Sequence, residues 1–152
     1  MRPQDLNILQ TCLSVPLTSR RIFFGLSDTF NQAPTAMTNA LGFIYDSGVS
    51  PNWQIITRAA SVGAAVITAA VVPSVVAELL SIVRIADDNY AFWIGNTLVG
   101  SILAGVADTT NMNVGYQVTS LSAGPGSQVN VGYFGLQATG SGALAADTFL
   151  QG

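Results

Sequence analysis

Short segments rich in β-branched and aromatic residues recur along most of the chain, and turn-forming residues end each of them. Tyr90 to Ile94 and Thr97 to Ile102, for example, flank the pair Gly95-Asn96, which is typical of a two-residue hairpin turn. Asn52 to Arg58 alternates with the period of a strand. Nine or ten such segments, with no clear amphipathic helix among them, predict an all-β fold, an antiparallel β-sandwich or barrel.

The predicted strands cover most of residues 6–138, and the chain of 152 residues is predicted to form a single domain, residues 1–152. The strands are Leu6–Val15, Arg21–Leu26, Leu41–Tyr45, Asn52–Arg58, Val66–Val72, the overlapping runs Val75–Val83 and Glu78–Ile85, Tyr90–Ile94, Thr97–Ile102, Met112–Leu121 and Val129–Gln137. Asn31 to Asn39, which holds Pro34 and small polar residues, is predicted as a loop. Residues 1–6 and 139–152 are expected to be flexible terminal arms outside the core.

Ala59 to Ala77 is uncharged and nominally long enough to cross a bilayer as a helix. However, Pro73 separates two β-branched runs in it, and the segment lacks the aromatic belts and basic flank that orient a span. We therefore expect strand, turn and strand here, and no membrane span. A helix over Ala64 to Leu80 is the alternative that its alanine content leaves open.

Charge is the feature of composition that most restricts function. Only 9% of the residues are charged, the formal net charge is −3, and the chain has no lysine, no histidine and a single glutamate. A protein that binds nucleic acid by neutralising phosphates is therefore not expected. The absence of histidine removes the usual general base and the commonest metal ligand, and Cys12, the one cysteine, has no partner for an intrachain disulfide.

So few charges predict a surface that is largely covered in a permanent assembly, because obligate interfaces are depleted in Lys, Glu and Asp. Soluble monomers usually carry many more charged side chains on their surface. A secreted β domain with a neutral polar surface is the alternative.

Several segments, taken in order, resemble the phage type of concanavalin A-like lectin/glucanase domain. They are Arg21-Ile-Phe-Phe-Gly-Leu-Ser27, Leu41-Gly-Phe-Ile-Tyr-Asp-Ser-Gly48, Pro51-Asn-Trp-Gln-Ile-Ile-Thr-Arg58, the hairpin from Leu80 to Val99, and Val131-Gly-Tyr-Phe-Gly-Leu136. The resemblance covers about Leu6 to Ala138. It departs from the family pattern at Gly132, where the family has Asp, and at Gly95-Asn96, where the family has the reverse order.

The resemblance implies two antiparallel sheets in a jelly roll and a place in the virion of a tailed bacteriophage. We expect a non-enzymatic virion structural protein without a cofactor, in particular a capsid decoration (cement) protein that packs on neighbouring virion subunits. Its expected partners are copies of itself, a trimer by analogy, and a major capsid or tail protein, with the terminal arms reaching neighbouring subunits. The alternative is a carbohydrate-binding tail-fibre or receptor-binding module that contacts host-surface carbohydrate.

Acidic residues offer little catalytic chemistry. Glycosidases need two carboxylates on either side of the scissile bond, yet Glu78 is the only glutamate and has valine and leucine two residues away on each side. No catalytic residue is therefore predicted. Asp87, Asp88 and Asn89 are weak candidates for calcium, with Asp46 or Asp108 as distant partners, although the same residues suit a tight turn without any metal.

Aromatic residues offer a second kind of site, since their rings could stack on sugars. The candidates are Trp53, Trp93, Tyr90 and Tyr116. Tyr90 and Trp93 fall on opposite faces of their strand, so one of the two must face the core.

Overall fold

The computed structural model describes residues 1–15, 18–30, 33, 36–59, 62–86, 89–103, 110–121 and 129–138. A single 3-10 turn, Pro3–Asp5, precedes the first strand. The described residues form ten strands, which are β1 (Leu6–Ser14), β2 (Arg20–Ser27), β3 (Ala40–Asp46), β4 (Gln54–Ala59), β5 (Val62–Thr68), β6 (Glu78–Ala86), β7 (Asn89–Ile94), β8 (Thr97–Leu103), β9 (Asn113–Ser120) and β10 (Asn130–Ala138).

The strands form two five-stranded sheets in which every pairing is antiparallel. Sheet A has the order β10-β1-β6-β7-β8, and sheet B has the order β5-β4-β3-β2-β9. The two sheets pack against each other, so the predicted all-β antiparallel sandwich is confirmed. The chain ends pair as in a jelly roll, β1 with β10 and β2 with β9, while β2 to β5 and β6 to β8 are meanders. The jelly roll itself stays a prediction.

Most predicted strands agree with the structure to within two residues. The Gly95-Asn96 turn is confirmed, and Gly95 has the positive φ of 56° that such a turn favours. Pro73 lies in the connection between β5 and β6, so strand, turn and strand is confirmed and the helix alternative is wrong. The structure shows no helix, in its described part, that is long and apolar enough to cross a membrane.

The main core fills the space between the sheets, because alternate residues of the strands point into it. Its largest side chains are aromatic: the Phe43 ring contacts Trp53 and Phe92 edge-on, with centroids 6.0 and 5.3 Å apart. Leucine and isoleucine side chains from both sheets complete this core, among them Leu9, Leu13, Ile22, Leu26, Leu41, Ile55, Leu80, Ile82 and Ile94.

A second apolar cluster lies on the outer face of sheet B. It consists of Phe23, Met37, Ala40, Ile44 and Ile56, with Phe30 packed against it. Met37 and Phe30 come from the connection between β2 and β3, and all of β3 and nearly all of β2 are therefore buried on both faces.

Glycine lets the strands under this second cluster approach closely. A Cβ atom on Gly42 would lie 2.8 Å from the Phe23 ring and would also collide with the Phe24 carbonyl oxygen. Gly25, directly opposite on β2, has φ +154°, and a Cβ there would collide with the Leu41 carbonyl oxygen. The Phe23 ring therefore needs the glycine beneath it.

The N-terminal residues pack on their own chain. The Met112 amide donates to the Met1 carbonyl oxygen at 2.7 Å, Met1 contacts the main core, and Pro3 is buried. Arg2 and Asp5 form an ion pair at 2.9 Å. Contact of residues 1–6 with a neighbouring subunit stays a prediction, and the predicted arm from Thr139 to Gly152 lies outside the described residues.

Candidate functional site

The predicted calcium cluster falls largely outside the described residues. Asp87, Asp88 and Asp108 are in that part of the chain, whereas Asn89 opens β7 opposite Ala86. The Asn89 Oδ1 atom is buried and accepts no hydrogen bond from the residues described. Across the described ranges no three His, Cys, Asp or Glu side chains lie together as metal ligands would.

Asp46, the predicted distant partner for calcium, has other contacts. Its Oδ2 accepts a hydrogen bond from the Arg21 Nε at 2.6 Å, and its Oδ1 accepts one from the Gly48 amide at 3.0 Å. Its side chain is almost fully buried in this arrangement. Asp46 therefore closes the turn after β3 and neutralises Arg21.

Glu78 likewise serves the structure around it. Its Oε2 accepts hydrogen bonds from the Trp53 indole Nε1 at 3.1 Å and from the Ser74 amide at 3.3 Å. The carboxylate thus satisfies the one polar atom of the buried Trp53 ring and fixes the connection between β5 and β6.

The four aromatic candidates lie in different surroundings. Trp53 and Tyr90 are fully buried, and their rings belong to the core between the sheets. The half-buried Tyr116 packs on Phe24, and its hydroxyl group is hydrogen-bonded to the Thr11 hydroxyl at 2.9 Å. Trp93 alone of the four lies on an outer face, that of sheet A.

Exposed apolar side chains are concentrated at one end of the sandwich. We call this the apolar end; it is formed by the connections that follow β1, β3, β5 and β7 and by the adjoining strand ends. Four valines at its loops are exposed by 52–71%: Val49, Val72, Val75 and Val76. Leu79, Leu98, Val118, Leu121, Val131 and Tyr133 lie at the adjoining strand ends. Among the large exposed apolar residues described, Ile85 is the exception at the opposite end.

Charged side chains at the apolar end have partners within the chain. Arg20 is buried and donates to the Ser19 carbonyl oxygen and to the Ser120 hydroxyl, both at 2.8 Å. Arg21 and Asp46 pair, and Glu78 accepts two hydrogen bonds. This end therefore presents apolar groups to solvent. Arg21 and Asp46 neutralise each other there, and Arg20 and Glu78 are hydrogen-bonded to neutral groups of the chain.

A shallow cleft of about 290 Å³ lies within the apolar end. Its walls are formed by Tyr45, Ser47, Val49, Ser50, Pro51 and Val72. Burial, and secondarily the Asp46 carboxylate, raise the pKa of the Tyr45 phenol, which therefore stays neutral at physiological pH. Among the described residues its walls offer two serine hydroxyls, the Tyr45 phenol and apolar groups, and they include no carboxylate.

The outer face of sheet A, which we call the open face, carries a row of uncharged residues across three strands. Gln10, Ser81 and Trp93 lie side by side in register, and the Gln10 amide donates to the Ser81 hydroxyl at 3.0 Å. Tyr133 lies on the same face with its ring over Gly135, and it is 51% exposed. Trp93 and Tyr133 thus flank a polar pair.

The sequence alone does not predict the apolar end, because β-branched residues indicate strands. The predicted segment Glu78 to Ile85 agrees with β6, but the overlapping run Val75 to Val83 extends too far, because Val75 and Val76 lie in the connection before β6. The pair Pro73-Ser74 could have indicated this connection, because proline and serine favour a turn. The Glu78 side chain accepts a hydrogen bond from the Ser74 amide of that turn.

The chain matches no protein-family model, and no curated protein matches its sequence.

Proposed function

We propose that the chain is a non-enzymatic structural protein of a bacteriophage virion, a capsid decoration (cement) protein that packs on copies of itself and on neighbouring virion subunits. The observation that carries the proposal is the apolar end, where exposed valines surround charged groups that are already hydrogen-bonded within the chain. The resemblance of the sequence to phage-type concanavalin A-like domains supplies the virion context.

Energetics support an interface at this end. Complete burial of a valine side chain is worth about 1.5 kcal/mol or more, so Val49, Val72, Val75 and Val76 together favour association by several kcal/mol before entropy is counted. Burying the same surface would leave few charges without water, because Arg20, Arg21 and Asp46 already have partners inside the chain. Such a surface is typical of the centre of a lasting interface.

The contacts of the carboxylates favour a structural role over hydrolysis. Glu78 holds Trp53 and Ser74, and Asp46 holds Arg21 and Gly48. Neither carboxylate lines the cleft at the apolar end. A general acid there would have to give up the bonds that fix the fold.

Immuno-electron microscopy tests the proposal most directly. An antibody raised against the purified chain is applied to particles released by the cells that encode it. We expect label spaced regularly over the heads of tailed particles. Label confined to fibre tips would favour the alternative function, and particles without any label would contradict a place in the virion.

The alternative, a carbohydrate-binding tail-fibre or receptor-binding module, is favoured by one observation, the flanking of Gln10 and Ser81 by Trp93 and Tyr133. Aromatic faces beside amide and hydroxyl groups suit a neutral sugar. A glycan array probed with the chain, with Trp93→Ala and with the control Leu98→Ala on the same face tests it. Binding that Trp93→Ala abolishes and the control retains would establish this function, whereas a blank array would remove it.

A further inference from the structure

Among the described strands, four lie at sheet edges, and one of them differs from the other three. β5, β8 and β10 each pair with their neighbour through at least one register shift. β9 pairs with β2 without any shift over its whole length of eight residues, from Asn113 opposite Ser27 to Ser120 opposite Arg20. Register shifts of this kind bend an edge and prevent it from pairing with another strand.

β9 also lacks the other devices that protect an edge. Its sequence, Asn-Val-Gly-Tyr-Gln-Val-Thr-Ser, contains no charged residue and no proline. Lysine, inward-pointing charge and proline are the usual means by which natural sheets prevent pairing at an edge. A regular, uncharged edge of this length is therefore competent to accept another strand.

We propose that β9 pairs antiparallel with β9 of a second copy about a two-fold axis at Gln117, which joins the two B sheets into one ten-stranded sheet. In this register Gln117 faces its own copy, and Val118 of each chain faces Tyr116 of the other. A β-branched residue opposite an aromatic ring is a favourable cross-strand pair.

Two side chains select this register. Val118 is 49% exposed, and the Tyr116 ring of the second copy would cover it. The Gln117 Oε1 atom is buried and accepts no hydrogen bond from the described residues. A second Gln117 at the axis brings an amide donor to it after a side-chain rotation, so the same register satisfies both residues.

The inference rests on the proposed function in one respect, namely that the chain associates with copies of itself. It assigns that contact to β9, including Val118 at the margin of the apolar end, and leaves the exposed loop valines of that end for a different virion subunit. The two-fold axis gives a dimer, whereas the trimer expected from the sequence rests on analogy.

Charge exchange at the axis tests the register. Gln117→Glu and Gln117→Lys each place like charges opposite one another, and we expect each to raise the dimer dissociation constant at least fivefold. Mixing the two variants should restore dimers, because opposite charges then meet. Thr119→Glu, which would face Gly115 in this register, is the control and should dimerise like the unchanged chain.

Disulfide trapping provides a second readout that does not depend on weakened binding. In a Cys12→Ser background, we expect Gln117→Cys to cross-link under mild oxidation, since directly opposed Cα atoms lie within disulfide range. Thr119→Cys should not cross-link, because its two copies would be about 13 Å apart.

The outcomes separate this inference from the proposed function. Dimers that tolerate both charge variants, or mixtures that fail to restore dimers, would overturn pairing at Gln117 while the virion proposal stands. Particles without antibody label would overturn the virion proposal even if Gln117→Cys cross-links. A chain that stays monomeric, with no cross-link at position 117, would overturn the pairing.

Discussion

Sheet B buries side chains on both of its faces, whereas sheet A buries them chiefly on the face toward the core. On sheet B the outer residues Phe23, Ile44 and Ile56 are at most 3% exposed, because Met37 and Phe30 from the β2–β3 connection pack beside them. On sheet A the open face leaves Leu98 and Tyr133 exposed by half.

The difference shows which apolar surfaces are buried within one copy of the chain and which remain exposed for contact with another molecule. An apolar side chain that is buried within one copy contributes to folding, and an exposed one can contribute only when another molecule covers it. Substitutions should therefore separate into those that lower the free energy of unfolding and those that lower association.

The largest expected effect is on the outer face of sheet B, which we call the covered face because Met37 and Phe30 pack on it. Phe23→Ala should lower the free energy of unfolding by about 3–5 kcal/mol, because it removes a fully buried ring and leaves a cavity above Gly42. Trp93→Ala on the open face, the matched aromatic truncation, should lower the free energy of unfolding by less, about 1–2 kcal/mol, since part of the ring is already in water. Urea denaturation of both variants measures this difference. Equal losses in the free energy of unfolding would contradict the distinction between the two faces.

Substitution of Gly42, the glycine beneath the Phe23 ring, tests how tightly the covered face is packed. Gly42→Ala should cost about 1–3 kcal/mol, because its Cβ would lie 2.8 Å from that ring. Gly132→Ala on β10 is the control: the nearest atom to its Cβ would be the Cys12 carbonyl oxygen at 3.9 Å, and we expect a change within about 0.5 kcal/mol. Thermal unfolding of the pair gives the difference, and a harmless Gly42→Ala would contradict the tight packing.

Substitutions at the apolar end should weaken association and leave the free energy of unfolding nearly unchanged. Val76→Asp places a charge on a side chain that is 71% exposed, so stability should change by about 0.5 kcal/mol at most. Binding to virion particles should fall at least tenfold, because the aspartate loses its water in the interface. Ile85→Asp at the opposite end is the control in a co-sedimentation assay, and equal binding by both variants would show that the apolar end is not the contact.

The smallest effect concerns pH. Burial raises the pKa of the Tyr45 and Tyr116 phenols of sheet B above their ordinary value of about 10. Because the folded state holds these protons more tightly than the unfolded state, their contribution is complete below pH 10 and is lost as pH rises toward the folded pKa. Urea midpoints at pH 8 and pH 11 should therefore differ less for Tyr116→Phe than for the unchanged chain.

The sequence predicted what depends on local pattern. The Gly95-Asn96 hairpin follows from neighbouring residues alone, and so does the separation of β5 from β6 at Pro73. The covered face was not predictable in this way, because Met37 belongs to a segment that the sequence indicates only as a loop. Its contact with Ile44 and Ile56 depends on where the β2–β3 connection returns across the sheet.

The candidate sites show the same limit. Alternation established that Tyr90 and Trp93 face opposite ways, yet it could not decide which faces the core, because both rings are apolar and large. Glu78 stood out in the sequence as the only glutamate, but its role became clear only when the fold brought it to Trp53, 25 residues away.

The claim that the chain associates with copies of itself is tested most directly by the molar mass of the unmodified chain in solution. Light scattering over about a hundredfold dilution measures it. We predict a multiple of 15.8 kDa that persists at the lower concentrations. A mass of 15.8 kDa at every concentration would contradict self-association.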